Sequence, residues 1–189
     1  LVKDDLINKE NKLGGVVLVG SHVKKTTMQL EELKHSRTAL DFIEFRVERV
    51  FEGGGLEEEV EQVLDRVEKG IKEGITMVVY TSRRPLEIDS GDKNKILQIS
   101  VIISEAVTNI IAKLSVRPRF VVAKGGITSS DVGTKALRVK KAKVMGQIKP
   151  GIPVWLTGNE SKYPELPYII FPGNVGKIDT LREIVEELS

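Results

Sequence analysis

The stretch Phe120-Val121-Val122-Ala123-Lys124-Gly125-Gly126-Ile127-Thr128-Ser129-Ser130 decides the fold. An apolar run, Phe120 to Ala123, breaks into a glycine pair and then into the small hydroxylated residues that favour helix starts. The run is continuous rather than alternating, the pattern of a strand covered on both faces. Val16 to Val19, Met77 to Tyr80 and Tyr168 to Phe171 share that character. Ala39 to Val47 alternates more and suits a strand nearer a sheet edge. Val139 to Met145 and Ile152 to Leu156 read as further short strands, the second entered through Pro150-Gly151.

Helical periods lie between these runs. Leu56, Val60, Val63, Leu64, Val67 and Ile71 line one face, and Glu57, Glu58 and Glu59 sit in the first turn, where negative charge complements the dipole. Ile96 to Leu114 is apolar around most of its circumference, which predicts a helix buried on several sides. Thr26 to Lys34 makes a short helix with Leu30 and Leu33 inward, and the last helix uses Leu181, Ile184, Val185 and Leu188. This alternation predicts a layered α/β fold: a mostly parallel, mixed sheet flanked by helices in a single domain.

Composition agrees. A chain of 189 residues, 40% apolar and 30% charged, fits one globular domain with a real core. Lys and Arg total 29 against 27 Asp and Glu, and a formal charge of +2 gives no case for a nucleic-acid partner. The absence of cysteine excludes a disulfide scaffold, thiolate zinc sites and cysteine nucleophiles, and agrees with a reducing compartment. No run approaches the roughly 18 to 20 apolar residues of a spanning helix, and the first residues are charged rather than signal-like. The expectation is a cytoplasmic protein without a membrane partner. The chain opens on Leu1 rather than an initiator Met and runs through the polar Lys3 to Lys12. Residues 1–12 therefore read as a linker or the remnant of a preceding segment, and residues 13–189 as the domain.

Chemistry is expected in the loops that follow the strands. Gly20-Ser21 follows one run, Lys124 to Ser130 another, and Pro172-Gly173-Asn174-Val175-Gly176 a third. In an open α/β sheet ligands bind at the carboxyl ends of the strands, so these loops should converge. Glycine lets the main chain approach a ligand, and helix N-termini offer unpaired N–H groups and partial positive charge. Lys124 adds a full charge, and the reading is a phosphate-binding edge for a nucleotide. Bland readings stand beside it: Gly125-Gly126 with Thr128-Ser129-Ser130 is equally a tight turn with an N-cap, and Pro172-Gly173-Asn174 is an ordinary turn signal.

Gly15 to Ser21 lacks the lysine of a Walker A loop, no Gly-x-Gly-x-x-Gly fingerprint occurs, and Gly53-Gly54-Gly55 precedes an acidic helix. The acid/base inventory is thin. His22 reads as structural, His35 as a surface or C-cap residue, and Asp131 as an exposed first-turn acid or a water-mediated metal contact. Arg83 and Arg84, after the Met77 strand, either face the same edge or, the favoured reading, form a solvated pair. No set of nucleophile, base and orienting group assembles.

Several motifs in order resemble a known family. Gly20-Ser21 leading to Thr26-Thr27-x-Gln29-Leu30, then Lys124-Gly125-Gly126-Ile127-Thr128-Ser129-Ser130-Asp131, then Gly146-Gln147-Ile148-x-Pro150-Gly151-x-Pro153-Val154-Trp155, then Phe171-Pro172-Gly173-Asn174-Val175-Gly176 are similar to the four-carbon acid sugar kinases. The likeness is to that family's C-terminal nucleotide-binding domain and runs from about Gly15 to the end of the chain. It implies an ATP- and Mg²⁺-dependent kinase acting on a terminal hydroxyl of threonate, erythronate or an oxo-tetronate. It also implies an N-terminal domain, absent from this chain, that holds most of the sugar acid and the catalytic base. Carried over by position, the ATP contacts fall on Ser21, Gly125, Gly126, Ile127, Thr128 and Gly173, with Lys124, Ser129 and Asn174 as further phosphate contacts. Other members carry an acid at the position of Ile127, so the departure puts a metal role for this loop in doubt, and the metal ligands stay unassigned. Three readings compete with a kinase: a non-catalytic nucleotide- or phosphate-binding regulatory module, a nicotinamide-dependent oxidoreductase with an atypical loop, and a scaffold whose glycines are only turns.

Overall fold

The computed structural model describes residues 1, 3–84, 86 and 93–189. Seven strands form one sheet in the order β2-β3-β1-β4-β7-β6-β5. These are β1 (Val16–Val19), β2 (Leu40–Phe45), β3 (Thr76–Thr81), β4 (Val121–Lys124), β5 (Ala142–Lys149), β6 (Ile152–Thr157) and β7 (Pro167–Phe171). The helices are α1 (Lys3–Leu6), α2 (Lys24–Leu33), α3 (Gly55–Lys72), α4 (Lys93–Lys113), α5 (Gly126–Asp131) and α6 (Thr180–Leu188). The five strands from β2 to β7 are parallel, and β6 and β5 add to the far edge antiparallel. The mixed, mostly parallel sheet expected from the apolar runs is the observed one.

Each central strand feeds two cores, which is why its sequence does not alternate. Val16 and Leu18 point into the layer of α3 and α4, while Val17 and Val19 point into the layer of α2 and α6. Burying each such side chain contributes about 1.5–3 kcal/mol, so short strands suffice in the middle of the sheet. β2 lies at an edge, as its alternation predicts.

Four local outcomes differ from the sequence reading. α4 is not buried on several sides: Ile99, Val107, Ile110 and Ile111 are buried, but Leu97 is 64% exposed and Val101 and Ile102 are each 48% exposed. It packs through one side on α3 and the turn after α5, and among the described residues nothing covers the other. By length and composition alone it would also pass for a membrane-spanning segment, contrary to the expectation that no run approaches that length. Second, only Glu57 and Glu58 lie in the first turn of α3, and Glu59 is buried beyond it. Its side chain is 3% exposed and paired with Arg46 at 2.6 Å and Arg49 at 3.4 Å. Third, β5 begins at Ala142 rather than Val139, because the Val139 N–H closes a π turn, Val132–Ala136, by donating to the Gly133 carbonyl. Fourth, Leu6 and Ile7 are buried against the α2 and α6 layer, so the polar lead carries two core residues of its own.

The topology fixes where a ligand would fit. β1 and β4 are parallel neighbours, yet β1 leads into α2 on one face and β4 into α5 on the other. Where adjacent strands send their helices to opposite faces, a crevice opens beyond their carboxyl ends.

Candidate functional site

The loops after β1, β4 and β7 meet at that crevice. The N–H groups of Gly20 and Ser21 both donate to the Lys124 carbonyl, at 3.1 and 3.2 Å, and the Gly125 N–H donates to the Phe171 carbonyl at 2.9 Å. Side chains are excluded where the loops cross. A Cβ on Gly20 would stand 2.1 Å from Thr128 Oγ1, one on Gly125 3.2 Å from the Ser21 nitrogen, and one on Gly173 3.0 Å from Ser21 Oγ. Gly125 also has φ +128°, which an L side chain rarely adopts. Ser21, Thr128 and Gly173, far apart in the chain, thus surround one point, and this is the convergence expected of the three loops.

α2 braces the loop after β7. The Thr26 hydroxyl lies 3.0 Å from Ser21 Oγ and 3.1 Å from the Gly173 carbonyl. Gln29, fully buried, donates through Nε2 to the carbonyls of Val175 and Lys177 at 3.1 and 2.7 Å. The Thr-Thr-x-Gln motif therefore holds the loop's shape rather than facing the crevice.

Backbone donors remain for a ligand. The Ser129 N–H is used by the Gly125 carbonyl and the Gly125 N–H by Phe171, which leaves the N–H groups of Gly126, Ile127 and Thr128 in the first turn of α5. They carry the partial positive charge of a helix start. The space beside Gly126 is open: a Cβ there would meet nothing within 4 Å. Ile127 is 73% exposed at the same turn.

Of the three residues expected as additional phosphate contacts, Lys124 and Ser129 spend their side-chain donors on backbone carbonyls. Lys124 is fully buried, and its Nζ donates to the carbonyls of Pro172 and Gly173 at 2.7 and 3.0 Å while lying 3.8 Å from the Phe171 ring centre. Burial, and secondarily the Lys25 ammonium, lower its pKa to about 7. Its role in the structure is to tie the β7 loop to β4. Ser129 Oγ donates to the carbonyls of Gly125 and Gly126. Asn174 is exposed, and its carbonyl accepts from Lys25.

Arg83 is the group the sequence reading undervalued. It is half-buried rather than solvated, and donates to the Ser21 carbonyl at 2.7 Å, the Thr81 carbonyl at 3.0 Å and Thr81 Oγ1 at 2.9 Å. Burial lowers its pKa from the usual arginine value. His22 stands 3.5 Å from Thr81 Oγ1, and burial followed by the Arg83 charge lowers its pKa, which favours neutral imidazole. The β-strand signal hid this residue, since a polar pair after a strand looks like any solvated loop. His35 is exposed. Asp131 accepts from Ser104 and pairs with Lys135 at 3.2 Å. Among the described residues no three carboxylate or imidazole side chains gather into a metal site.

Known proteins share this fold. No curated protein matches the sequence significantly. Among solved structures, a domain of unknown function, DUF1537, from Bordetella bronchiseptica, crystallised with citrate as a domain-swapped dimer, superposes with a TM-score of 0.69 at 16% identity. It aligns with 93% of this chain and 41% of its own. A Salmonella typhimurium protein carrying a suggested tRNA synthase description superposes with a TM-score of 0.61 at 20% identity, over 89% of this chain and 39% of its own. These likenesses establish the fold, and this chain spans about two fifths of the length of either protein. The sequence pattern described as a nucleotide-binding C-terminal domain matches residues 16–181, a span that takes in all three loops at the crevice. With backbone donors gathered at a topological switch point and a match over nearly the whole length, the chain belongs to the nucleotide-binding C-terminal domain family.

Proposed function

We propose that this chain is the ATP-binding part of a cytoplasmic kinase that phosphorylates a terminal hydroxyl of a four-carbon sugar acid such as threonate, erythronate or an oxo-tetronate. The observation that carries the reading is the meeting of Ser21, Thr128 and Gly173 around one crevice, with side chains excluded at Gly20, Gly125 and Gly173. Such a crevice suits a polyphosphate: the N–H groups of Gly126, Ile127 and Thr128 are left without backbone partners for an anion, and the hydroxyls of Ser21 and Thr128 add donors.

Phosphoryl transfer needs positioning and charge neutralisation more than covalent chemistry. The acceptor hydroxyl oxygen forms a bond to the γ-phosphorus, the bond from that phosphorus to the bridging oxygen breaks, and ADP leaves. In this reading the α5 turn and Ser21 hold the phosphates, Gly173 lets the β7 loop approach them, and Lys124 keeps that loop in place from beneath. Mg²⁺ arriving with the nucleotide would supply charge neutralisation, and among the described residues no cluster of carboxylates or imidazoles would hold it. The hydroxyl proton passes to a base in a preceding sugar-acid domain, which also completes the acceptor site.

A second reading, a nucleotide-binding regulatory module, draws on the exposed Ile127 at the loop that would face the metal. The deciding experiment measures ADP formation by the full-length protein with ATP, Mg²⁺ and each sugar acid. Acid-dependent ADP release supports the kinase; ATP binding without turnover on any acid supports the module.

A further inference from the structure

Beside the phosphate loops, on the face of the sheet that carries α3 and α4, lies a cavity of about 450 Å³. Gly20, Thr81 and Thr128 border it at the strand ends, and Ser100, Ser104 and Thr108 border it along α4. Residues four apart on a helix share a face, so those three hydroxyls form one row.

Among the described residues the cavity's lining holds two arginines and no carboxylate. Arg83 borders it half-buried, and all the acceptors of its hydrogen bonds are neutral oxygens. Among the described residues no carboxylate lies within ion-pair distance of it; Glu44 and the Tyr80 phenol act on it only through space. Arg84, exposed, is a second cation at the same wall. A partly desolvated guanidinium gains from an anion that accepts a charge-assisted hydrogen bond, and with Nε and Nη1 engaged the second Nη2 N–H is the donor left for it. The hydroxyl row adds the complementary feature. Ser100 donates to the Ile96 carbonyl and Ser104 to Asp131, so their oxygens keep lone pairs for donors on a ligand. Ile103 and Val107 supply apolar wall between the two polar regions.

The geometry points to this cavity as a subsite for a small hydroxylated carboxylic acid, its carboxylate on Arg83 and its hydroxyls along the Ser100, Ser104 and Thr108 row. Resting on the kinase reading, this makes the C-terminal chain itself a contributor to acceptor selection, and Arg83 a residue shared by both substrates. One face of its guanidinium holds the Ser21 carbonyl of the nucleotide loop, so occupancy by an acid is felt where the phosphates bind.

The test is calorimetric titration of this chain, saturated with a non-hydrolysable ATP analogue, using erythronate and its uncharged counterpart erythritol. Erythronate is expected to bind at least about tenfold more tightly than erythritol, a difference of about 1.4 kcal/mol. Arg83→Met should remove that preference. Ser100→Trp, at an exposed position on the cavity rim, should weaken erythronate about tenfold while leaving the analogue's affinity and the melting temperature unchanged. Erythronate affinity unaltered by both substitutions, no erythronate binding by the wild-type chain, or displacement of erythronate by adenosine would overturn the subsite. Titrating the analogue alone keeps the two readings apart. Loss of analogue binding in the wild-type chain defeats the nucleotide site, whereas intact analogue binding with no acid binding defeats only the subsite.

Discussion

Replacing Gly125 with alanine asks most of the crevice. Its φ of +128° and ψ of 146° belong to a region that is essentially glycine's alone, and forcing a side chain there costs about 1–3 kcal/mol. For a domain of this size each kcal/mol lowers the melting temperature by roughly 2–4 °C, so a fall of about 2–12 °C is expected. Nucleotide binding should suffer more. The new methyl would stand 3.2 Å from the Ser21 nitrogen and 3.3 Å from its Cβ, separating the β1 and β4 loops where they must close on a phosphate. If two charge-assisted hydrogen bonds of about 1.5 kcal/mol each are lost, ATP affinity falls by roughly 3 kcal/mol, or about 150-fold. Calorimetric titration with ATP, beside a thermal melt of the same variant, measures both effects. Gly126→Ala is a control for the fold alone, because its side chain enters open space and folding should be unaffected. ATP affinity within about threefold of wild type in a folded Gly125→Ala chain would refute the reasoning.

Three other outcomes follow from the structure. The unfolded Lys124 amine titrates near its ordinary 10.5 and the folded one near 7, so the unfolded chain binds more protons between those values and stability rises with pH across that window. Urea melts at pH 7 and pH 9.5 should show this rise in the wild type and a flatter response in Lys124→Met. Glu59→Gln removes the buried charge facing the half-exposed Arg46, while Arg49 keeps Glu52 and Glu58, and should cost roughly 1 kcal/mol, read from the urea midpoint. Gln29→Leu removes the donors to Val175 and Lys177 and should cost about 1–3 kcal/mol; equal stability would mean the loop after β7 does not depend on that brace.

Much of the fold was legible because both faces of the central strands are buried. That condition writes itself as unbroken runs such as Val16 to Val19 and places the glycine loops after them. The crevice was legible for the same reason, since loops that follow neighbouring parallel strands have only one edge to share. What the sequence concealed were properties set by tertiary partners. Lys124 looks like a loop cation, and only the register that sets it beside Phe171 turns it under the β7 loop. Arg83 and Arg84 look alike as letters, yet the Ser21 carbonyl half-buries one and not the other. The exposed Leu97, Val101 and Ile102 escaped because an apolar helix carries no signal of which neighbours it lacks. Glu59 was read with Glu57 and Glu58, and its pairing depends on Arg46, which lies beyond the end of β2.

The central claim is tested most directly by a crystal of this chain soaked with a non-hydrolysable ATP analogue and Mg²⁺. Phosphate density within hydrogen-bonding reach of the Gly126, Ile127 and Thr128 N–H groups, with Ser21 and Gly173 alongside, is the predicted result. A nucleotide bound elsewhere, for instance along the β5–β6 hairpin with the three loops unchanged, would contradict it.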